Sequence, residues 1–200
     1  MSKQTERFEA MRKQTRDKIR YAAVTLFAKH SFANTTMQAI AEEAGVSTGL
    51  AYRYFPSKQA LFDAIMSEAI EGLRNLKHLF QAEGDPRSIL TGATEEMLKG
   101  IAVDRTTSDL FLLVTQSIFP NTEPNNGLKE LIAMDKELIA ALKQLIIRGQ
   151  EKKQFVAGDP QMLAMFFISS AQGVGLMATI FEEDYQLPDI SIFLSFLLQK

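Results

Sequence analysis

The sequence predicts an all-α protein of about nine helices, three at the N-terminus followed by a helical bundle. Three observations carry that prediction. Apolar residues recur at spacings of three and four nearly everywhere. The apolar stripes have helix lengths and are separated by Gly, Pro, Asn and Ser positions that cap or break helices. No pair of segments alternates apolar and polar residues as neighbouring strands would.

The elements follow in order. Ile19, Ala22, Ala23, Leu26 and Phe27 lie on one face of a first helix that ends near His30. Met37, Ile40, Ala41 and Ala44 mark a short second helix, whose start is expected at Thr35 with Gln38 three residues on, the spacing of a capping box. Gly45 ends it, because a left-handed residue just past a helix favours glycine, and Ser47 is placed to cap a third helix. Pro56 and Ser57 break the chain again, and Ser57 can cap a long helix carrying Leu61, Ile65, Ala69, Leu73, Leu76 and Phe80. Further stripes cover residues 89–101, 109–119, 128–148, 160–181 and 190–198. Asp159 followed by Pro160 reads as an N-cap with proline in the first helical turn. A DNA-facing module over residues 1–60 and a helical domain over 61–200 are the expected divisions.

Composition narrows the chemistry. With no cysteine and only two histidines, His30 and His78, the chain has no disulfide or thiolate site and no basis for a multi-histidine metal centre. No cofactor is expected, and no nucleophile–base pair or phosphate loop can be assembled, so an enzyme is not expected. Gly173-Val174-Gly175-Leu176-Met177-Ala178 matches a dinucleotide fingerprint in letters only. It lies within a helical run, and the chain ends about where the required acidic residue should stand. No apolar run approaches the roughly 20 residues of a membrane helix, so a soluble cytoplasmic protein without a membrane partner is expected.

The net charge of −2 conceals a polarity. Up to Lys58 there are ten Lys and Arg against five Asp and Glu, a net +5; the remainder holds 12 against 19, a net −7. Phosphate attraction is local, screened over about 8 Å at physiological salt, so a polyanion partner is expected for the first part alone.

A DNA reader needs a short helix whose outer face can enter a major groove about 12 Å wide, braced by a second helix. Residues 35–58 fit that need. Val46, Ala51 and Phe55 turn inward, leaving Thr48, Gly49, Leu50, Tyr52 and Arg53 toward solvent. Leu50 can meet a thymine methyl, Arg53 can fork onto guanine, and Gly49 lets the backbone come close.

At this stretch the sequence strongly resembles the TetR family of transcriptional regulators. The resemblance is carried by Thr35-Thr36-Met37-Gln38-Ala39-Ile40-Ala41, by Ala44-Gly45-Val46-Ser47-Thr48-Gly49, and by Tyr52-Arg53-Tyr54-Phe55-Pro56-Ser57-Lys58 with Leu61 and Phe62. Together with the preceding helix it covers the chain as far as Phe62. It implies that Thr48, Gly49, Leu50 and Tyr52 touch bases, that Arg53 usually meets the backbone, and that Thr36, Gln38, Tyr54 and Lys58 hold phosphates, with Ser47 at the start of the reading helix. Leu50 departs from the polar or small residue usual in the family, which points to van der Waals selection of A·T pairs. A basic segment before the first helix, with Lys3, Arg7, Arg12, Lys13 and Arg16, is expected to follow the minor groove or the backbone. Arg16 and Lys18 are the stronger phosphate candidates in it.

For the rest of the chain the resemblance implies a homodimer on a palindromic operator, released by a small hydrophobic effector. An activator or nucleoid-associated regulator without an effector is the alternative. Fourteen Phe and nine Met suit an adaptable apolar cavity; Phe111, Phe119, Met134, Met165 and Phe166 are its candidate lining, with Gln116 as a polar group to orient a ligand. The stripes at 162–168 and 190–198 are apolar on more than one face and need cover on two sides. Met162, Ser169, Gly173, Met177, Ile192 and Phe196 are therefore the expected dimer contacts.

Overall fold

A computed structural model describes residues 3–103, 105–118 and 126–199. Nine α-helices are described: α1 (Lys3–Asn34), α2 (Met37–Glu43), α3 (Thr48–Tyr54), α4 (Lys58–Gln81), α5 (Pro86–Val103), α6 (Arg105–Ile118), α7 (Asn126–Glu151), α8 (Pro160–Phe181) and α9 (Ile190–Phe193). Among the described residues there is no strand, only an isolated antiparallel bridge between Phe155 and Leu198.

The first three helices and the start of α4 close around one core. Ile19, Phe27, Ile40, Ala51 and Leu61 are fully buried there. The rings of Phe27, Phe32 and Phe62 meet at tilted or edge-on angles, with centroids 5.0 to 5.9 Å apart, the arrangement that ring quadrupoles favour. The chain leaves α1 through Ser31, a non-glycine at φ 67° that kinks the helix near its end. Gly45 takes φ 66° between α2 and α3, as its position just past a helix predicts. Ser47 and Ser57 cap α3 and α4, their hydroxyls accepting the Leu50 and Ala60 amides at 3.2 and 3.0 Å.

Two N-terminal expectations are corrected. The N-cap of α2 is Thr36, which accepts the Ala39 amide at 3.1 Å. Thr35 is buried, its hydroxyl 2.9 Å from the Ser31 carbonyl oxygen that accepts it. Its side chain thus ties off the end of α1, and no capping box forms with Gln38. The basic segment expected to precede the first helix is itself helical, since α1 starts at Lys3.

A second core joins α4 to the bundle, with Phe80, Leu90, Leu142, Leu145, Ile146, Phe155, Leu194 and Leu197 among its most buried members. Arg148 of α7 donates to the carbonyls of Phe80 and Ala82 at 2.7 and 2.9 Å, satisfying orphan acceptors at the end of α4. Gly149 lies so close under the Phe155 ring that a Cβ there would collide with it. Leu113 of α6 belongs to the first core, so a helix of the bundle is packed into the N-terminal module.

The ninth helix is shorter than the stripe at 190–198 suggests. After Phe193 the chain turns and pairs with the segment following α7: the Val156 amide donates to Leu197 at 2.9 Å, and the Gln199 amide to Gln154 at 2.9 Å. Leu197 and Leu198 are apolar because this clasp seats them against the second core, not because a helix continues.

The stretch Pro160–Asp184, by length and composition alone, would suffice to cross a membrane, with a mean hydropathy of 1.6 over 18 residues. This overturns the expectation that no apolar run reaches such a length. Here Ala164, Phe167, Ala171 and Gly175 bury one face of α8 against the bundle. The fingerprint-like glycines at 173 and 175 lie in the middle of that helix, where no phosphate loop can form.

Candidate nucleic-acid interface

α3 is a seven-residue helix held from beneath by Ala51 and Phe55, both closed to solvent. Thr48 and Leu50 are half-buried at its rim; Gly49, Tyr52 and Arg53 stand out from it. Tyr52 is 49% exposed although it is large and apolar in body. Arg53 has neither hydrogen bond nor ion pair among the described residues. A Cβ at Gly49 would meet no atom within 4 Å, so nothing inside the fold calls for glycine there. The outer face of α3 is thus a small-to-aromatic patch with one free guanidinium, a surface that gains from contact with base edges and phosphates.

Around that face the other expected residues divide. Gln38 and Thr36 are exposed on α2, but the Thr36 hydroxyl already caps its helix. Tyr54 is half-buried and packs on the first core. Ser47 serves as the cap of α3.

Lys58 sits differently from what its family position implies. Its ammonium donates to the carbonyls of Phe32 at 2.6 Å and Thr35 at 2.7 Å, and is 3.4 Å from that of Ala33. It also lies 4.5 Å over the Phe32 ring, within the range of a cation–π contact. An ammonium has three donors, and all three are directed into the protein. A cation in the first turn of α4 opposes the dipole of its own helix, yet the same charge suits the carbonyls left open where α1 ends. Lys58 therefore closes the α1–α2 corner in this structure, its ammonium turned to carbonyls of its own chain.

Arg16 of α1 reaches this region too, its guanidinium 4.5 Å from the ring centre of Phe55, the residue that ends α3. On the side of α1 that meets the bundle, the Thr25 hydroxyl donates to the carboxylate of Asp109 at 2.8 Å; Asp109 is only 4% exposed. Sequence reading missed this pair. Its one visible signal is a carboxylate inside the apolar stripe of α6, with nothing to show which helix would face it.

The expected ligand cavity is only partly in view. Phe119 lies outside the described residues, as do the side chains of Phe111 and Gln116. Met134 is buried with Ile70 and Leu131. Met165 and Phe166 are corrected: they are 43% and 57% exposed on the outer side of α8, because the inward face of that helix belongs to Ala164, Phe167 and Ala171. Two grooves are described, one of about 420 Å³ between α1 and the α2–α3 turn, the other of about 330 Å³ between α4 and the start of α7. Among the described side chains, Met134, Met165 and Phe166 line neither. No group of His, Cys, Asp or Glu among the described residues could hold a metal ion.

A capped helix-turn-helix with an unpartnered reading face, carried on a helical body, defines a DNA-binding transcriptional regulator. Residues 19–65 match the family profile of bacterial regulatory proteins, tetR family. The chain is similar to the TetR family over that N-terminal module. It is 27% identical over 166 residues to the HTH-type transcriptional regulator YfiR of Bacillus subtilis, across 82% of this chain and 79% of that one. It is 31% identical over 112 residues to the HTH-type regulator AcrR of Shigella flexneri, across 55% of this chain and 50% of AcrR. Among solved structures, the fold matches SmeT in complex with triclosan (20% identity, TM-score 0.66, 92% of both chains). It also matches a regulator from Saccharomonospora viridis in complex with choline (19% identity, TM-score 0.67, 92% of this chain and 98% of that one).

Proposed function

We propose that the chain is a homodimeric, cytoplasmic repressor that binds a palindromic operator and is released by a small hydrophobic effector bound in the helical body. The reading residues are Thr48, Gly49, Leu50 and Tyr52 on bases, Arg53 on guanine or backbone, and Thr36, Gln38 and Tyr54 on phosphates. Ser47 sets the start of the reading helix.

One observation carries the effector-responsive part. α6 is a helix of the body, yet its Asp109 and Leu113 are packed into the DNA-reading module through Thr25 and the first core. Anything that displaces α6 also displaces α1, on which α2 and α3 rest. Residues 1–60 would read DNA and 61–200 would sense and dimerise, with α6 joining the two. Structures of the same fold with triclosan or choline bound fit a body that accepts small molecules. On the outer face of α8, Met162, Phe166, Ser169, Gly173 and Met177 recur at helical spacing, and Met162 and Ile192 are each 67% exposed. Pairing of that face between two copies would set two reading helices about a C2 axis.

The test is fluorescence anisotropy with a duplex from upstream of the protein's own gene, in the presence of compounds that raise its melting temperature. Release of the duplex by such a compound is the expected result. Binding that survives every stabilising compound would replace this reading with a helix-turn-helix regulator that has no effector.

A further inference from the structure

The reading module is tied to the body at a place outside both apolar cores. In α1 the Lys29 ammonium donates to a carboxylate oxygen of Glu182 at 3.2 Å, across 153 residues of sequence. Glu182 is the residue that ends α8. Lys29 stands one turn after Thr25, so the two lie on the same face of α1. That face therefore meets α6 through Asp109 and the end of α8 through Glu182.

Glu182 takes φ 48° and ψ −118°, the mirror image of the first central position of a type II turn, where glycine, asparagine and aspartate dominate. Its amide donates to the Ala178 carbonyl, and its own carbonyl accepts the Tyr185 amide at 3.3 Å. Glycine could make both bonds without strain. Backbone strain of this kind persists where the surrounding structure over-determines it. What glutamate supplies and glycine lacks is a carboxylate, and that carboxylate faces Lys29.

We propose that Lys29 and Glu182 form an electrostatic latch that sets the angle of the reading module against the end of α8. Both side chains are about half exposed, at 46% and 50%. An exposed ion pair is worth too little to hold a fold together, yet it shifts an equilibrium between two positions of the module by up to about fivefold. A contact of that size lets go when α8 shifts, and neither part has to unfold. It is also open to salt, because screening acts over about 8 Å at physiological ionic strength. Since the outer face of α8 is the one proposed to pair two copies, the latch carries the state of that face to α1, on which α2 and α3 rest. The latch lies within one chain; its effect on a palindromic operator rests on the homodimer reading.

The chain has no cysteine, so Glu42→Cys on α2 and Glu151→Cys on α7, both at exposed positions, give two sites for spin labels in the full chain. Doubly labelled chain is diluted into unlabelled protein, and pulsed electron double resonance reads the distance between module and body. Lys29→Gln and Glu182→Gln should each broaden the distribution or add a second distance. The charge swap, Lys29→Glu with Glu182→Lys, should restore the wild-type distribution. Raising KCl should broaden the wild type and change Lys29→Gln less. Glu182→Gly should broaden the distribution as Glu182→Gln does without lowering the melting temperature, which separates the latch from a merely stabilising contact. Affinity for the protein's own upstream duplex should fall by up to about fivefold in the single variants and return in the swap. Single variants with the wild-type distribution overturn the proposal. So does a swap that stays broad, since Lys29 would then act on something other than Glu182. Failure of the homodimer reading would show differently, as a particle with the mass of one chain in light scattering whose distance distribution still depends on the pair.

Discussion

The ammonium of Lys58 donates to the carbonyl oxygen of Phe32 at 2.6 Å and lies 4.5 Å over the ring of the same residue. One cation thus holds both main chain and side chain of the corner that presents α2. Lys58→Met is expected to lower unfolding stability by about 1.5–3 kcal/mol, the range for hydrogen bonds to charged groups, as read by urea titration. Its salt slope for DNA should match wild type. A slope smaller by about one, with stability unchanged, would return Lys58 to the phosphates.

Tyr52 and Arg53 protrude from α3 without supporting the fold. Tyr52→Ala should weaken binding to the specific site more than to random DNA and leave the melting temperature in place. Arg53→Ala should relax preference at one base pair by roughly 1–3 kcal/mol if its fork reads guanine. Equal losses on specific and random duplexes for both variants would mean that neither reads sequence.

The Thr25 hydroxyl and the buried Asp109 carboxylate, 84 residues apart in sequence, meet at 2.8 Å in a partly buried contact. Thr25→Val keeps the shape and removes a donor from a buried carboxylate, which should cost about 1–3 kcal/mol. A loss below the error of chemical denaturation would show that Asp109 does not depend on Thr25.

Asp135 of α7 is partly buried, and desolvation raises its pKa above the ordinary carboxylate value. A raised carboxyl is accommodated best when protonated, so its contribution favours the fold below the unfolded pKa and is lost as pH rises through the folded one. Asp135→Asn should therefore melt higher than wild type at pH 7, and the difference should shrink as pH falls through the carboxylate range. A gain that stays the same at every pH would assign the effect to packing instead of charge.

The apolar outer face of α8 supplies the oligomer prediction. Met162→Glu combined with Ile192→Glu places charge where both residues are 67% exposed in the single chain. If the face pairs two copies, light scattering should show the mass of the particle halved while helical content holds. An unchanged mass would remove α8 from the interface.

Part of this molecule was legible before any coordinates. The caps at Ser47, Ser57 and Asp159, the left-handed Gly45 and the inward set Ala51, Phe55 and Leu61 depend on a few neighbouring residues. Thr35 shows the limit of local reading: two adjacent threonines both satisfy the cap pattern, and the choice of Thr36 follows from where the end of α1 places its carbonyls.

By itself, then, the sequence determined an all-helical chain with a helix-turn-helix whose second helix runs from about Ser47 to Tyr54, because helical period and capping are written within a turn or two. Tertiary structure decided what long side chains do. Lys58 finds its acceptors 23–26 residues back, Arg148 finds the end of α4 66–68 residues back, and Leu198 leaves the helical pattern to pair with Phe155. The same residue types would serve solvent, phosphate or carbonyl equally well. Only the folded chain sets which partner is within reach, because a charged group goes to the nearest uncompensated dipole that packing brings beside it.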